Sequence, residues 1–386
     1  MQKGILKKLS LLSISLVLTS TTAIASAIPL MQETFVHQSL ASIEMITTMP
    51  SMMITIFVLL SVPISNRIGS KKTVIIGLLI SIISSLIPMM IQNFIMILLS
   101  RAGLGIGFGL FNSLAISMIN DFYDGNERVQ MIGFQSAFQG LGSAILTFFA
   151  GQFLKINWQY SFAVYLIMIP ILILFIVFVP DSPKHENSQK VKSSIQINII
   201  KYVVLICMTL MIYNAIFLKI PTLIVEKNMG NTVDASFILT VVQIGSMLTG
   251  FLFERIYRIV KRNVLSLALI LMAVSFAFIS ITTSFYMIVV CATMAGISFS
   301  LLTPYLFHRV AQISTVENQS LATSMLIVGA QIAGFISPYF LAVISQISLL
   351  DLQVAQVFLS GAIILLVILI VVLIYRSLYF QHNEEK

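Results

Sequence analysis

The chain has 386 residues, of which 58% are hydrophobic and 9% charged, and it carries a net charge of +8. A soluble domain needs about 25% charged residues to cover its core, and 14 acidic and 22 basic residues cannot supply that cover here. The composition, with a mean hydropathy of +1.01, excludes a water-soluble protein. The basic residues fall in short gaps between apolar runs rather than on one clustered face, which excludes nucleic acid as a partner.

The first apolar run follows Lys3, Lys7 and Lys8 and ends in an Ala-Ile-Ala-Ser-Ala stretch at 23–27, which imitates a cleavable signal peptide. It continues beyond signal length to Glu33, so a retained first transmembrane helix is predicted. Stretches free of Asp, Glu, Lys and Arg then run 45–66, 73–100, 102–120, 129–154, 156–180, 202–218, 235–253, 263–307, 318–350 and 352–375. A helix needs about 20 residues to cross the hydrocarbon. The 263–307 stretch therefore holds two helices, divided near Thr282, Thr283 and Ser284. The stretches flanking Arg101 re-divide into helices over about 72–91 and 93–117, with a turn at Gln92 and Asn93.

The expectation is an all-α polytopic membrane protein of twelve transmembrane helices. Residues 1–180 form one six-helix bundle, 181–198 a cytoplasmic linker, and 199–386 a second six-helix bundle with a short tail. With both termini cytoplasmic, 18 Lys and Arg lie on the inner side, and Lys155, Lys219 and Lys227 on the outer. That asymmetry is the positive-inside signature and predicts the cell membrane with both ends inside. Cys207 and Cys291 lie within apolar runs and read as small core residues, with no metal site or cofactor in view.

An internal repeat links the halves. Arg67 and Arg255, ending the second and eighth helices, are 188 residues apart, Gly105 and Gly296 are 191 apart, and Gln139 and Gln331 are 192 apart. Such echoes mark the repeated halves of carriers, and a twofold repeat of this kind favours a monomer.

The segment Asn66-Arg67-Ile68-Gly69-Ser70-Lys71-Lys72, the run from Arg101 to Gly107 with its Arg-x-x-x-Gly-x-Gly spacing, and Glu127-Arg128 with Gly133 occur in order on corresponding helices. Together they resemble the major facilitator superfamily over essentially the whole chain. Asn66 stands where that family usually has Asp, Val62 where it has Gly, and the fifth helix lacks the Gly-Pro pair of many drug–proton antiporters. The resemblance implies a conformational latch at the inner ends of the helices that holds the outward-open state. Its residues would be Asn66, Arg67, Gly69, Lys71, Lys72, Asp121, Glu127 and Arg128, with Gly250, Glu254 and Arg255 as the second copy.

Arg101 is predicted about 12 Å deep, at 1.5 Å per residue. An unpartnered guanidinium there costs at least ~2.5–3.5 kcal/mol, so it should face a central cavity and pair with another group, the alternative being a packing strut bonded to backbone carbonyls. Glu33 and Glu44 are the nearest carboxylates, and the three are the coupling candidates. Gln139, Gln331 and Gln243, about 15 Å into their helices, with Asn112 and Asn214, are the candidate substrate-cavity residues beside Arg101. Gly103, Gly105, Gly107 and Gly109 make two overlapping small-xxx-small spacings for close helix packing.

Intramembrane hydrolysis lacks its residues: there is no HExxH and no GxSxG, and the four histidines are scattered. A channel would need pore rings from several subunits. The expected function is a secondary transporter working by alternating access, exporting small apolar or amphipathic compounds in exchange for protons. The alternative is uptake or uniport of a neutral or anionic solute.

Overall fold

The computed structural model describes residues 2–181, 197–315, 318–346 and 353–384. The predicted linker at 181–198 lies, apart from Asp181 and the start of the next helix, outside the described residues. Among the described residues, ten helices are long and apolar enough to cross a bilayer, and a bent pair over 5–16 and 20–34, inclined by 50°, adds an eleventh span. The twelfth is α6, Gly125–Phe153, also 29 residues long but more polar, because Gln130, Gln135, Gln139 and Gln152 lie on it.

The first span comprises α1 (Gln2–Ser13), three 3-10 turns at Ile14–Leu16, Ser20–Thr22 and Ala25–Ala27, and α2 (Ile28–Thr34). The run Thr19-Ser20-Thr21-Thr22 explains the break. Ser and Thr side chains bond to nearby backbone and compete with the helical ladder, as Ser20 Oγ does with the Val17 carbonyl at 2.7 Å. The spans that follow are α3 (Leu40–Ile68), α4 (Ser70–Met90), α5 (Phe94–Phe122), α6, and a ten-residue 3-10 segment, Trp158–Ile167, continued by α7 (Met168–Phe178). The second half comprises α8 (Ile197–Tyr213) with α9 (Ala215–Glu226), α10 (Thr232–Val260), α11 (Val264–Ile281), α12 (Phe285–Ile313), α13 (Gln319–Ile344) and α14 (Gln353–Glu384). The seventh span, like the first, is interrupted, at Asn214. Discontinuous helices in corresponding positions of two repeats are where carriers build their sites.

The turns expected at 92–93 and 282–284 separate α4 from α5 and α11 from α12. Gly69 alone separates α3 from α4, with φ +93°, a conformation that L side chains avoid. With an even number of spans, the start of α1 and the end of α14 lie at one face of the bundle, called the terminal face below. α3 and α10 run toward it, and α6 and α13 away from it.

The glycines of α5 divide between two neighbours. A Cβ at Gly103 or Gly107 would meet Ser84 or Ser81 of α4, and one at Gly105 or Gly109 would meet Pro50, Met53, Ile54 or Phe57 of α3. Each small-xxx-small spacing thus serves one helix contact, where lost side-chain volume lets backbones approach. The two bundles meet along α3 with α13 and α6 with α10.

Candidate functional site

A cavity of about 780 Å³ lies between the bundles, within the range of small-molecule sites. Its walls come from both halves: Thr19, Thr21 and Thr22 of the broken first span, Thr47, Thr48 and Ser51 of α3, Asn112 of α5, and Gln139 and Ser143 of α6. The second half adds Tyr213, Asn214, Phe217, Gln243, Phe251, Phe299, Ser300, Thr303 and Gln331. Among the described residues, none that lines the cavity is Asp, Glu, Lys, Arg or His. The surface therefore offers amides, hydroxyls and aromatic rings, with Tyr213 stacked on Phe299 at 4.2 Å between ring centres.

The expected cavity residues fare differently. Asn112, Gln139, Asn214, Gln243 and Gln331 all line the cavity. Gln243 is already engaged across the bundle interface, donating to Thr147 Oγ1 at 2.6 Å and accepting from Ser143 Oγ. Asn214 donates to Ser337 Oγ at 3.1 Å, and Ser337 donates to the Gly334 carbonyl at 2.8 Å. That carbonyl is the one that Pro338, lacking an N–H, leaves without its helical donor. Asn214 thus positions the hydroxyl that repairs a proline break.

Arg101 does not face the cavity as expected but takes the alternative, a packing strut on backbone carbonyls. It is 1% exposed and does not line the cavity. Neither Glu33, exposed at the end of α2, nor Glu44 is its partner. Its Nε donates to the Ile46 carbonyl at 2.8 Å and its Nη2 to the Thr21 carbonyl at 2.6 Å, with Phe162 and Tyr165 rings 5.8 and 5.3 Å away. The physical reason lies in the backbone: Pro50 removes the N–H that would serve Ile46, and the break in the first span frees acceptors near Thr21. Tyr165 Oη donates to Ser20 O at 2.8 Å, beside the same break. Arg101 ties the broken span to α3 and α5.

Glu44 is fully buried on α3, and Lys219 Nζ lies 2.7 Å from its Oε1. Lys219, expected in an outer loop, is instead within α9 and 3% exposed. Lys227, also expected outside, is half-buried just beyond α9 and donates to the carbonyls of Ser280 and Thr282 at 3.2 and 2.9 Å. The Glu44–Lys219 pair joins the two bundles. With Tyr339 Oη, 3.3 Å from Met45 Sδ, and Gln243 with Thr147, it lies in the half remote from the termini. The cavity extends from mid-depth toward the terminal face, as far as Ser136, Gly250 and Pro304.

At the terminal face Asn66, Arg67, Lys72, Arg128 and Arg255 are exposed, and Asp121 is half-buried. Gly250 lines the cavity's terminal end. Lys71 donates to Ile176 O at 3.0 Å, Glu127 pairs with Lys8 at 2.5 Å, and Glu254 pairs with Arg258 at 2.5 Å, each within its own bundle. Of the expected latch, Asn66, Arg67, Lys72, Arg128 and Arg255 thus face solvent, and Lys71, Glu127 and Glu254 are engaged inside one half.

Two functional features escaped sequence reasoning although signals existed. The run 202–218 between Lys201 and Lys219 is only 17 residues, too short to cross, so one flanking lysine had to enter the membrane. Pro50 announces a needy carbonyl four residues earlier, which names the acceptor of Arg101.

Comparison with known proteins adds the following. No curated protein sequence matches the chain. Solved structures match along nearly its full length. The bacterial homolog of the human lysosomal transporter Spinster, inward-facing and occupied, is 14% identical, with 99% of this chain and 97% of that one covered and a TM-score of 0.73. The inward-open xylose transporter XylE from E. coli is 13% identical, with 94% and 95% covered and a TM-score of 0.72. The nucleoside transporter NupG is 14% identical, with 96% and 99% covered and a TM-score of 0.74. The Major Facilitator Superfamily model matches residues 10–261 and 205–385. With twelve helices in two repeated halves around a cavity, the chain belongs to the major facilitator superfamily and is a multi-pass membrane transporter of a small molecule.

Proposed function

We propose that the protein moves a small, neutral, hydrogen-bonding solute across the cell membrane by alternating access, with both termini cytoplasmic. The carrying observation is the cavity wall, rich in amides and hydroxyls and free of fixed charge. A wall without charge offers no partner for an ionised substrate, which would lose its hydration without recompense. Gln139, Gln331 and Asn112 supply donors and acceptors, and Tyr213, Phe217 and Phe299 supply apolar faces. The likeness in fold to carriers of xylose and nucleosides agrees with this reading. Under the orientation implied by the basic residues, the cavity faces inward and the Arg67 latch is released.

Proton-coupled export of apolar compounds is the second reading, favoured by the ring-lined part of the wall. It lacks a carboxylate in the cavity, which leaves Glu44 as the membrane-depth candidate for a proton. Purified protein in liposomes with a lumenal pH dye separates the two. The neutral-solute reading expects saturable flux of sugars, polyols or nucleosides, and raised thermal stability on their addition. Stabilisation and proton release by apolar amphiphiles alone would overturn it.

A further inference from the structure

Glu44 and Lys219 are the one charged pair that joins the two halves among the described residues whose ion pairs are given above, and both are removed from water. The pair stands on the closed side of the cavity, beyond the residues that would touch a solute. A strut inside one bundle could remain fixed throughout a transport cycle. A strut between α3 and α9 cannot, because on the alternating-access reading the halves must part there once per cycle, and the inference rests on that reading.

We infer that Glu44 and Lys219 are the gating residues of the face remote from the termini, a charge pair whose burial is nearly balanced by its attraction. Two charges in low dielectric attract strongly, but each has lost its hydration. The two terms roughly cancel, which is why apolar residues can replace buried pairs without loss of stability. In an ordinary core that cancellation brings little. In a gate it sets the equilibrium: when the halves part, water enters and returns the hydration that closure removed, so neither state is favoured by much. The carboxylate and the ammonium hold the face shut only as partners, because either one left alone in the closed state is an uncompensated buried charge. An apolar pair at the same positions would bind the halves together and gain nothing from opening. The surrounding cross-bundle contacts are neutral, such as Tyr339 with Met45, and the further acid that acts on Lys219, Glu226, is exposed at the end of the same helix, so it does not join the halves.

The test is a distance across the gate. Spin labels at Val36→Cys and Tyr286→Cys, both exposed and one on each half, are placed in a Cys207→Ser/Cys291→Ser background, in lipid nanodiscs without solute. Pulsed EPR then reads the closed and open populations. Glu44→Met and Lys219→Met should each move the open-to-closed ratio by roughly a hundredfold toward open, as the loss of one partner of a buried pair implies. The double Glu44→Met/Lys219→Met variant should remain closed, and the exchange Glu44→Lys/Lys219→Glu should restore the wild-type ratio. If the single variants fail to fold, the double and the exchange still decide. A double variant more open than wild type overturns the gate, and so does an exchange that stays open or single variants that match wild type. Because no solute is present, these results do not depend on which solute is carried. A failed gate with intact flux in liposomes would leave the transport reading standing.

Discussion

The guanidinium of Arg101 donates to the carbonyl of Ile46 at 2.8 Å, the acceptor that Pro50 leaves without a helical partner four residues later. A second arm reaches Thr21 O at 2.6 Å on the broken first span. One planar cation thus satisfies acceptors on two other spans, each through a different nitrogen of its fork.

Arg101→Met should therefore lower the unfolding midpoint sharply, by about 1–3 kcal/mol for each orphaned carbonyl. Arg101→Lys should recover little, since Nε and Nη2 reach the two carbonyls from separate positions on the fork, where lysine has a single nitrogen. Thermal unfolding of detergent-purified variants measures this, and a lysine variant as stable as wild type would show that charge rather than geometry matters.

Gln139→Ala and Gln331→Ala should weaken solute affinity by about 1–3 kcal/mol, a factor of roughly 5 to 150, while leaving the unfolding midpoint in place. Gln243→Ala should differ, because its amide bridges α10 to Ser143 and Thr147. Its loss should shift the balance between open and closed forms as well as affinity. Binding titrations run beside unfolding curves distinguish the two kinds of effect.

Gly105→Ala should destabilise the first half by about 1–3 kcal/mol through overpacking, since its Cβ would lie 2.6 Å from the Pro50 carbonyl oxygen. Gly77→Ala should do likewise, with Gly107 O 2.7 Å away. Gly133→Ala is the control: nothing lies within 4 Å of its Cβ, and the helix gains up to about 1 kcal/mol in propensity. Unfolding midpoints of the three variants should separate in that order.

Lys227→Met should loosen the end of α11, where the ammonium holds the carbonyls of Ser280 and Thr282. The loss should be about 1–2 kcal/mol, as for a charge-assisted bond at a helix C-terminus. Faster hydrogen exchange at residues 279–284, with the rest of the chain unchanged, is the expected signature.

Helix number, the turns at 92–93 and 282–284 and the twofold repeat were legible because they follow from span length and spacing. The midplane glutamines were legible for the same reason, since depth along a helix is arithmetic. Partners were not. Arg101 at membrane depth called for oxygen acceptors, and a guanidinium donates to carboxylate and carbonyl alike, so its position did not decide between Glu33 or Glu44 and the backbone freed by Pro50 and the Ser-Thr run. Glu44 and Lys219 are 175 residues apart, on helices whose adjacency no periodicity encodes. A lysine at the edge of an apolar run looks the same in a loop as in a buried turn, and only the shortness of its run told them apart.

The first span carries nine residues in 3-10 turns between α1 and α2. Each 3-10 residue advances about 2.0 Å along its axis, against 1.5 Å in an α-helix, so rewinding all nine would shorten the span by about 4–5 Å. The wall of the cavity at Thr19, Thr21 and Thr22 is made from this stretch. The part of the chain that lines the cavity is therefore also an extensible tether, whose reach can change without unfolding the helices at either end.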